Sequence, residues 1–142
     1  YGVGFHRHNP EIHQMLQKYT NNKVEFHFTP HLTPMFRGIL STIYLELKNG
    51  FSITKIEKIL KKFHKDNNFV KILKKNTFIS TNNVINTNNW FISVCETKYS
   101  NKVIILSAID NLIKGGAGQA IQNMNLKFNF NYNQGLKWKK FW

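Results

Sequence analysis

The sequence predicts one α+β domain: a mixed, mostly antiparallel sheet with helices packed on one face. Three observations carry this. Strand-like runs rich in β-branched and aromatic residues come in groups, not in strict alternation with helices. Two of them, residues 90–98 and 102–109, are separated only by Tyr99-Ser100-Asn101, which reads as a hairpin. One segment carries apolar residues at helical spacing (Ile53, Ile56, Ile59, Leu60, Phe63) with lysines on its other face.

The elements follow in order. Residues 1–8 alternate small, apolar and polar groups and suit a short strand or extended arrival segment, with His6 and His8 on one face and Arg7 opposite. Asn9 is expected to cap a helix with Pro10 in its first position and Glu11 in its first turn. Ile12, Met15, Leu16 and Tyr19 carry that helix to about Asn21 and Asn22. Residues 24–28 alternate as a half-buried strand, and Pro30 and Pro34 then impose a constrained loop. A longer strand is expected over 36–47. Asn49-Gly50 makes a turn, and Ser52 or Thr54 starts the lysine-faced helix. A short strand over 69–73 precedes an Asn/Thr-rich loop with one short strand near 77–80. After the hairpin, the Gly115–Gly118 run leads into a helix from Gln119 to about Phe128, and residues 129–142 read as a loosely ordered tail. There is no internal repeat and no second domain boundary.

Size and composition narrow the classes. At 142 residues and 42% apolar content, roughly 70% of the unfolded surface can be buried, and the chain is no disordered polymer. No run of 18 apolar residues exists, so no transmembrane helix and no membrane partner are expected. The beginning, Tyr1-Gly2-Val3-Gly4, is neither a signal peptide nor an initiator and reads as cut from something longer. The single cysteine, Cys95, excludes a disulfide framework and a multi-cysteine zinc site and fits a reducing cytoplasm or organelle matrix. A net charge of +13 attracts anions, nucleic acid included. The lysines are scattered, however, and accompany abundant Asn, Ile and Phe, a mixture that A/T-rich codon usage produces without any ligand.

Titratable chemistry concentrates in His6-Arg7-His8-Asn9-Pro10-Glu11. Two imidazoles and a carboxylate suit acid–base work, with one histidine supporting the other, or a divalent metal, or a surface cluster. No second ligand cluster is evident, although His27, His31 and His64 are available. The Gly115–Gly118 run could receive an anion on its N–H groups, or could serve only close helix–sheet packing. Cys95 lies inside a predicted strand, which favours burial over nucleophilic use. Arg37, between Phe36 and Gly38, suits a clamp on a carboxylate or phosphate, or a plain salt bridge.

Three blocks give the chain a family resemblance: Tyr1 through Ile12 with His6-Arg7-His8-Asn9-Pro10-Glu11-Ile12, then Phe28 through Thr42 with Thr29-Pro30-His31-Leu32-Thr33-Pro34-Met35-Phe36-Arg37-Gly38, then Ser107 through Asn125 with Asp110-Asn111-Leu112-Ile113-Lys114-Gly115-Gly116-Ala117-Gly118-Gln119. Together they resemble the C-terminal part of N-acetyl-γ-glutamyl-phosphate reductase, of the semialdehyde dehydrogenase family. The resemblance implies a glyceraldehyde-3-phosphate-dehydrogenase-like C-terminal domain spanning residues 1–142. It also implies an NADPH-dependent reduction of N-acetyl-5-glutamyl phosphate in arginine biosynthesis, by covalent catalysis from a cysteine thiolate. His6 matches the acid–base histidine. His8 and Glu11 match neighbouring active-site positions, Arg7 lies among them, and Arg37 and His31 sit in a motif implied to hold substrate anions. Asn111 and Lys114 begin the helix that returns toward the cofactor domain.

The resemblance also implies parts that these residues lack: an NADP-binding N-terminal half with its Gly-rich fingerprint, and the cysteine of a Gly-Asn-Pro-Gly-Cys type motif. Cys95 lies outside any matching motif. Gly116 stands where the family usually has Ala, and the tail ends in Lys139-Lys140-Phe141-Trp142. The expectation is therefore an incomplete reductase: inactive alone, partnered by that N-terminal half, and assembled as a homo-dimer or tetramer. The competing reading is a basic, non-enzymatic module that binds nucleic acid. A metal site through His6, His8 and Glu11 ranks behind both.

Overall fold

The computed structural model describes residues 1–137, and the sequence-predicted end of the tail, Trp138 onward, lies outside them. The chain divides into two compact units, Tyr1–Met35 and Phe36 onward, a boundary that no composition shift announces. No helix among the described residues is long and apolar enough to cross a membrane.

The first unit contains one helix, α1 (Asn9–Gln17). The expected opening strand is absent. Gly2 and Gly4 adopt φ of 60° and 74°, and the Phe5 N–H bonds the Gly2 carbonyl, so the chain coils instead of extending. Asn9 does not cap α1. The Asn9 N–H already bonds the His6 carbonyl, so helical geometry starts one residue early and His8 holds the cap position without a side-chain bond. The Asn9 amide instead donates to the Gly4 carbonyl. The helix also ends before Asn21. Residues 24–28 keep the predicted alternation of half-buried and exposed side chains but form no ladder. They are fastened by Gln17, which accepts from the Val24 N–H and donates to the Thr20 and Asn22 carbonyls.

The second unit is a four-stranded sheet in the order β1-β4-β3-β2, with β1 (Ile39–Glu46), β2 (Val70–Ile72), β3 (Trp90–Glu96) and β4 (Lys102–Ile109). Strand β4 pairs antiparallel with β1 and β3, and β2 pairs parallel with β3. The sheet is thus mixed and mostly antiparallel, and the predicted hairpin is present in the register Trp90↔Ile109 to Glu96↔Val103. Strand β1 begins at Ile39 because Gly38, at φ 112°, breaks the extended run; a Cβ there would meet Thr81 at 2.7 Å.

Helix α2 (Ile53–Phe63) starts at Ser52, whose hydroxyl accepts the Lys55 N–H, and packs against β3 and β2. Ile53, Ile56 and Leu60 form its inner stripe, whereas Ile59 and Phe63 turn outward. The strand expected at 77–80 is replaced by a 3-10 turn, Thr81–Asn83. Ile79 and Val84 from this loop pack on Ala108 of the sheet, with Leu73, Phe91 and Leu106 around them.

After β4 the chain makes a π-helical turn (Ile113–Ala117), then α3 (Gly118–Lys127). Up to Lys137 the tail is packed rather than loose. Leu136 is buried, and the buried Asn125 donates to the Tyr132 and Gln134 carbonyls.

Candidate active site

In the first unit the site is built around His6, which is only 8% exposed. Its ring is met edge-to-face by Tyr1, His8 and Phe28, at centroid distances of 5.2, 4.8 and 5.4 Å. The His8 backbone N–H donates to His6 Nδ1 at 3.2 Å. That bond assigns the neutral ring its hydrogen on Nε2. Loss of hydration holds the imidazole below its ordinary pKa, with the charges of His8 and Arg7 adding to the effect. His6 is therefore a neutral hydrogen-bond donor at neutral pH. A turn, not an extended strand, brings the His6 and His8 rings together. Arg7, His8, Glu11 and His31 are all exposed. Among the described residues no three His, Cys, Asp or Glu side chains gather as a metal-ligand set.

In the second unit the central feature is Asp110, fully buried at the end of β4. Its Oδ2 accepts from Arg37 Nε at 2.9 Å, from Arg37 Nη2 and from the Asn86 N–H at 2.8 Å. Its Oδ1 accepts the Leu112 and Ile113 N–H groups, both at 2.9 Å. Burial raises the carboxyl pKa, but Arg37 and the three backbone N–H groups more than offset that and leave it below its ordinary value. Arg37 also donates to Asn86 Oδ1 at 2.7 Å. Of the two readings of Arg37, the structure shows the salt bridge: its guanidinium holds the chain's own Asp110. Asn111 Oδ1 accepts the Gly38 N–H at 2.8 Å.

Lys114 lines a groove of about 290 Å³ together with Ile39, Ser41, Trp90, Ser107 and Ile109. Its ammonium donates to Gln119 Oε1 at 2.8 Å and Gln122 Oε1 at 2.7 Å, and burial lowers its pKa. Gln122 Oε1 also accepts from the buried Asn88 amide at 2.9 Å. Trp90 Nε1 donates to Ser107 Oγ at 2.8 Å across the groove floor.

The glycine run forms no phosphate cradle. The N–H groups of Gly115, Ala117 and Gly118 bond the Asp110, Leu112 and Ile113 carbonyls. Gly118 serves packing, because a Cβ there would lie 2.2 Å from Asn88 Oδ1. Cys95 sits in β3, half-buried, its Sγ 3.8 Å from Ser93 Oγ.

Sequence reasoning missed Tyr1 and Phe28 around His6, and Asp110, Asn86, Asn88 and Gln122 behind Arg37 and Lys114. A signal existed for one of these: an Asp ending a strand two and three residues before free N–H groups is an Asx-turn pattern.

The second unit is thus a mixed sheet whose strand β4 runs through the buried Asp110 into a glycine-rich turn, and the first unit carries the histidine cluster. Residues 1–111 match the family described as semialdehyde dehydrogenase, dimerisation domain, and the chain belongs to that family. It is 48% identical over 136 residues to the N-acetyl-γ-glutamyl-phosphate reductase of Clostridium botulinum strain Alaska E43, and 44% identical over 138 residues to that of Halothermothrix orenii. Each match covers 96% of this chain and 40% of the relative. The chain therefore spans about 40% of the length of the curated relatives it matches. Its fold is similar to that of an aspartate semialdehyde dehydrogenase II from Vibrio cholerae, solved with ASA. The TM-score is 0.55 at 15% identity, over 68% of this chain and 28% of that one.

Proposed function

We propose that this chain is the substrate-handling and dimerising portion of an NADPH-dependent N-acetyl-γ-glutamyl-phosphate reductase, working in the cytoplasm or an organelle matrix. Such an enzyme reduces N-acetyl-5-glutamyl phosphate to N-acetylglutamate 5-semialdehyde, with release of phosphate. The observation that carries this reading is the buried, neutral His6 with Nδ1 engaged by the His8 N–H.

Reduction of an acyl group puts negative charge on its carbonyl oxygen. The His6 Nε2–H is the donor to that oxygen, and a ring kept neutral by desolvation donates without first losing a charge. The exposed Arg7 gives the surroundings positive character that suits an anionic substrate, His8 lies beside it, and Glu11 at the start of α1 limits that charge. His31 belongs to the stretch implied to serve the substrate, and Asn111 and Lys114 to the stretch implied to serve the cofactor. The nicotinamide cofactor supplies the hydride when bound. The unpaired edge strand β1, with Leu40, Tyr44 and Leu45 exposed, is the surface proposed for the homo-oligomer.

The test is complementation. The chain, fused to the portion of the Clostridium botulinum reductase that it does not match, is expected to oxidise NADPH when given the acyl phosphate, whereas the chain alone is silent. In the fusion, His6→Asn is expected to lower kcat at least about 100-fold. Unchanged turnover in that variant would remove His6 from the chemistry.

A further inference from the structure

We propose that Arg37 is a positioning residue, which acts through Asp110 to set the π-helical turn that holds Lys114 at its groove. Three features support it. First, Arg37 spends Nε and Nη2 on Asp110 and Asn86, inside the chain. Second, Asp110 holds Arg37 on one carboxylate oxygen and the first two N–H groups of the turn, those of Leu112 and Ile113, on the other. The guanidinium and the turn are thus joined through one rigid, buried group. Third, helix α3, which follows the turn, is tied to the same loop: Asn88 donates to Gln122, and Gln122 accepts Lys114. Asn86 and Asn88, two residues apart, brace the two ends of the segment on which Lys114 rides.

A second tie runs parallel to the first. Gly38, next to Arg37, donates its N–H to Asn111 Oδ1. The stretch before β1 therefore grips residues 110 and 111 by both a side chain and a backbone group. Among the described residues Lys114 has amide oxygens as partners, those of Gln119 and Gln122, and no carboxylate lines the groove beside it. Its placement therefore depends on the turn that carries it and on the α3 glutamines, not on an ion pair. The functional weight of this inference rests on Lys114 facing a ligand, as proposed above; the positioning itself does not.

The two are tested apart. In the 142-residue chain with 13Cε-labelled lysine, Lys114→Arg identifies the Lys114 resonance. Arg37→Met is expected to move the Lys114 titration midpoint up toward the ordinary lysine value, as the side chain swings into water, while the cooperative melt survives. Arg37→Lys is expected to restore part of the shift. Asn86→Gly is a milder probe, because φ 61° suits glycine and only the amide contact to Arg37 is lost; it carries the measurement if Arg37→Met does not fold. A Lys114 resonance and titration identical to wild type in the folded variants would overturn the inference.

In the fused enzyme, Arg37→Lys is expected to raise KM for NADPH several-fold with KM for the acyl phosphate unchanged. A rise in the acyl-phosphate KM alone, with Lys114 titrating normally, would make Arg37 a direct clamp and overturn positioning. If Lys114 shifts in the isolated chain but neither KM moves, the positioning stands and the ligand role of Lys114 falls.

Discussion

Asp110 keeps its charge at a fully buried position because every donor it needs is already in place. Arg37 supplies two, and the Asn86, Leu112 and Ile113 N–H groups supply three more. Asp110→Asn leaves Arg37 without its counter-ion. It is expected to destabilise the fold toward the lower end of about 3–5 kcal/mol, since the Arg37 side chain is still 18% exposed. Denaturant unfolding checks this. The pH dependence has a definite sign. A carboxyl held below its ordinary pKa stabilises the fold above about pH 4, and that contribution is lost as pH falls through the lowered native value. Asp110→Asn should therefore flatten the acid limb of the stability curve. His6 behaves in the opposite chemical sense but also loses on the acid side. Its native pKa is lowered, so below the ordinary histidine value the unfolded chain binds the proton more readily. Arg7→Gln removes one of the charges that depress it. The His6 ring-proton titration is then expected to move up, and an unchanged midpoint would show that Arg7 has no hold on it.

At the level of elements, the glycines of the π turn separate by role. Gly118 lies against Asn88 and the Ile113 carbonyl, at 2.2 and 2.8 Å from a built Cβ, whereas Gly116 meets nothing closer than 3.4 Å. Gly118→Ala should cost about 1–3 kcal/mol by overpacking and Gly116→Ala distinctly less, as paired thermal melts would show. Elements whose information is local were legible in the sequence. Helix α2 announced itself by its apolar stripe and Ser52 cap, and β3 and β4 by β-branched runs around a short turn. Those that depend on distant partners were not. Residues 24–28 carry the alternation of a strand, yet strand formation needs a neighbouring edge, and Gln17 provides only side-chain bonds. Arg37 was recognisable as a clamp or a salt bridge, but its partner stands 73 residues away, beyond any local pattern. The titratable cluster marked the region and the family resemblance picked His6 within it; the shell of Tyr1 and Phe28 around its ring required the fold.

At the scale of the whole molecule, the proposed assembly surface is the edge strand. Among the described residues β1 pairs with β4 alone, and most of its side chains are exposed. A free edge with Leu40, Tyr44 and Leu45 uncovered invites pairing with another chain. Sedimentation of the chain is expected to show a homo-dimer or higher species, and Tyr44→Lys with Leu45→Lys to shift it toward monomer without loss of secondary structure. The lysines that dominate the net charge are dispersed along α2 and the turns. Lys61 pairs with Glu57, and Lys55 lies over the Phe51 ring, so each is engaged locally.

The β1–β4 ladder has a consequence in time. Ile39 pairs with Ile109, so β1 must wait for β4, which is synthesised some 70 residues later in the chain. At ordinary synthesis rates those intervening residues take on the order of several seconds to appear. Throughout that interval Leu40, Tyr44 and Leu45 travel on a nascent strand with neither edge occupied. The same arrangement that leaves an edge in the finished sheet leaves both edges of β1 open on the unfinished chain, a state prone to wrong pairing. Slowing translation downstream of residue 46 should increase its misassembly.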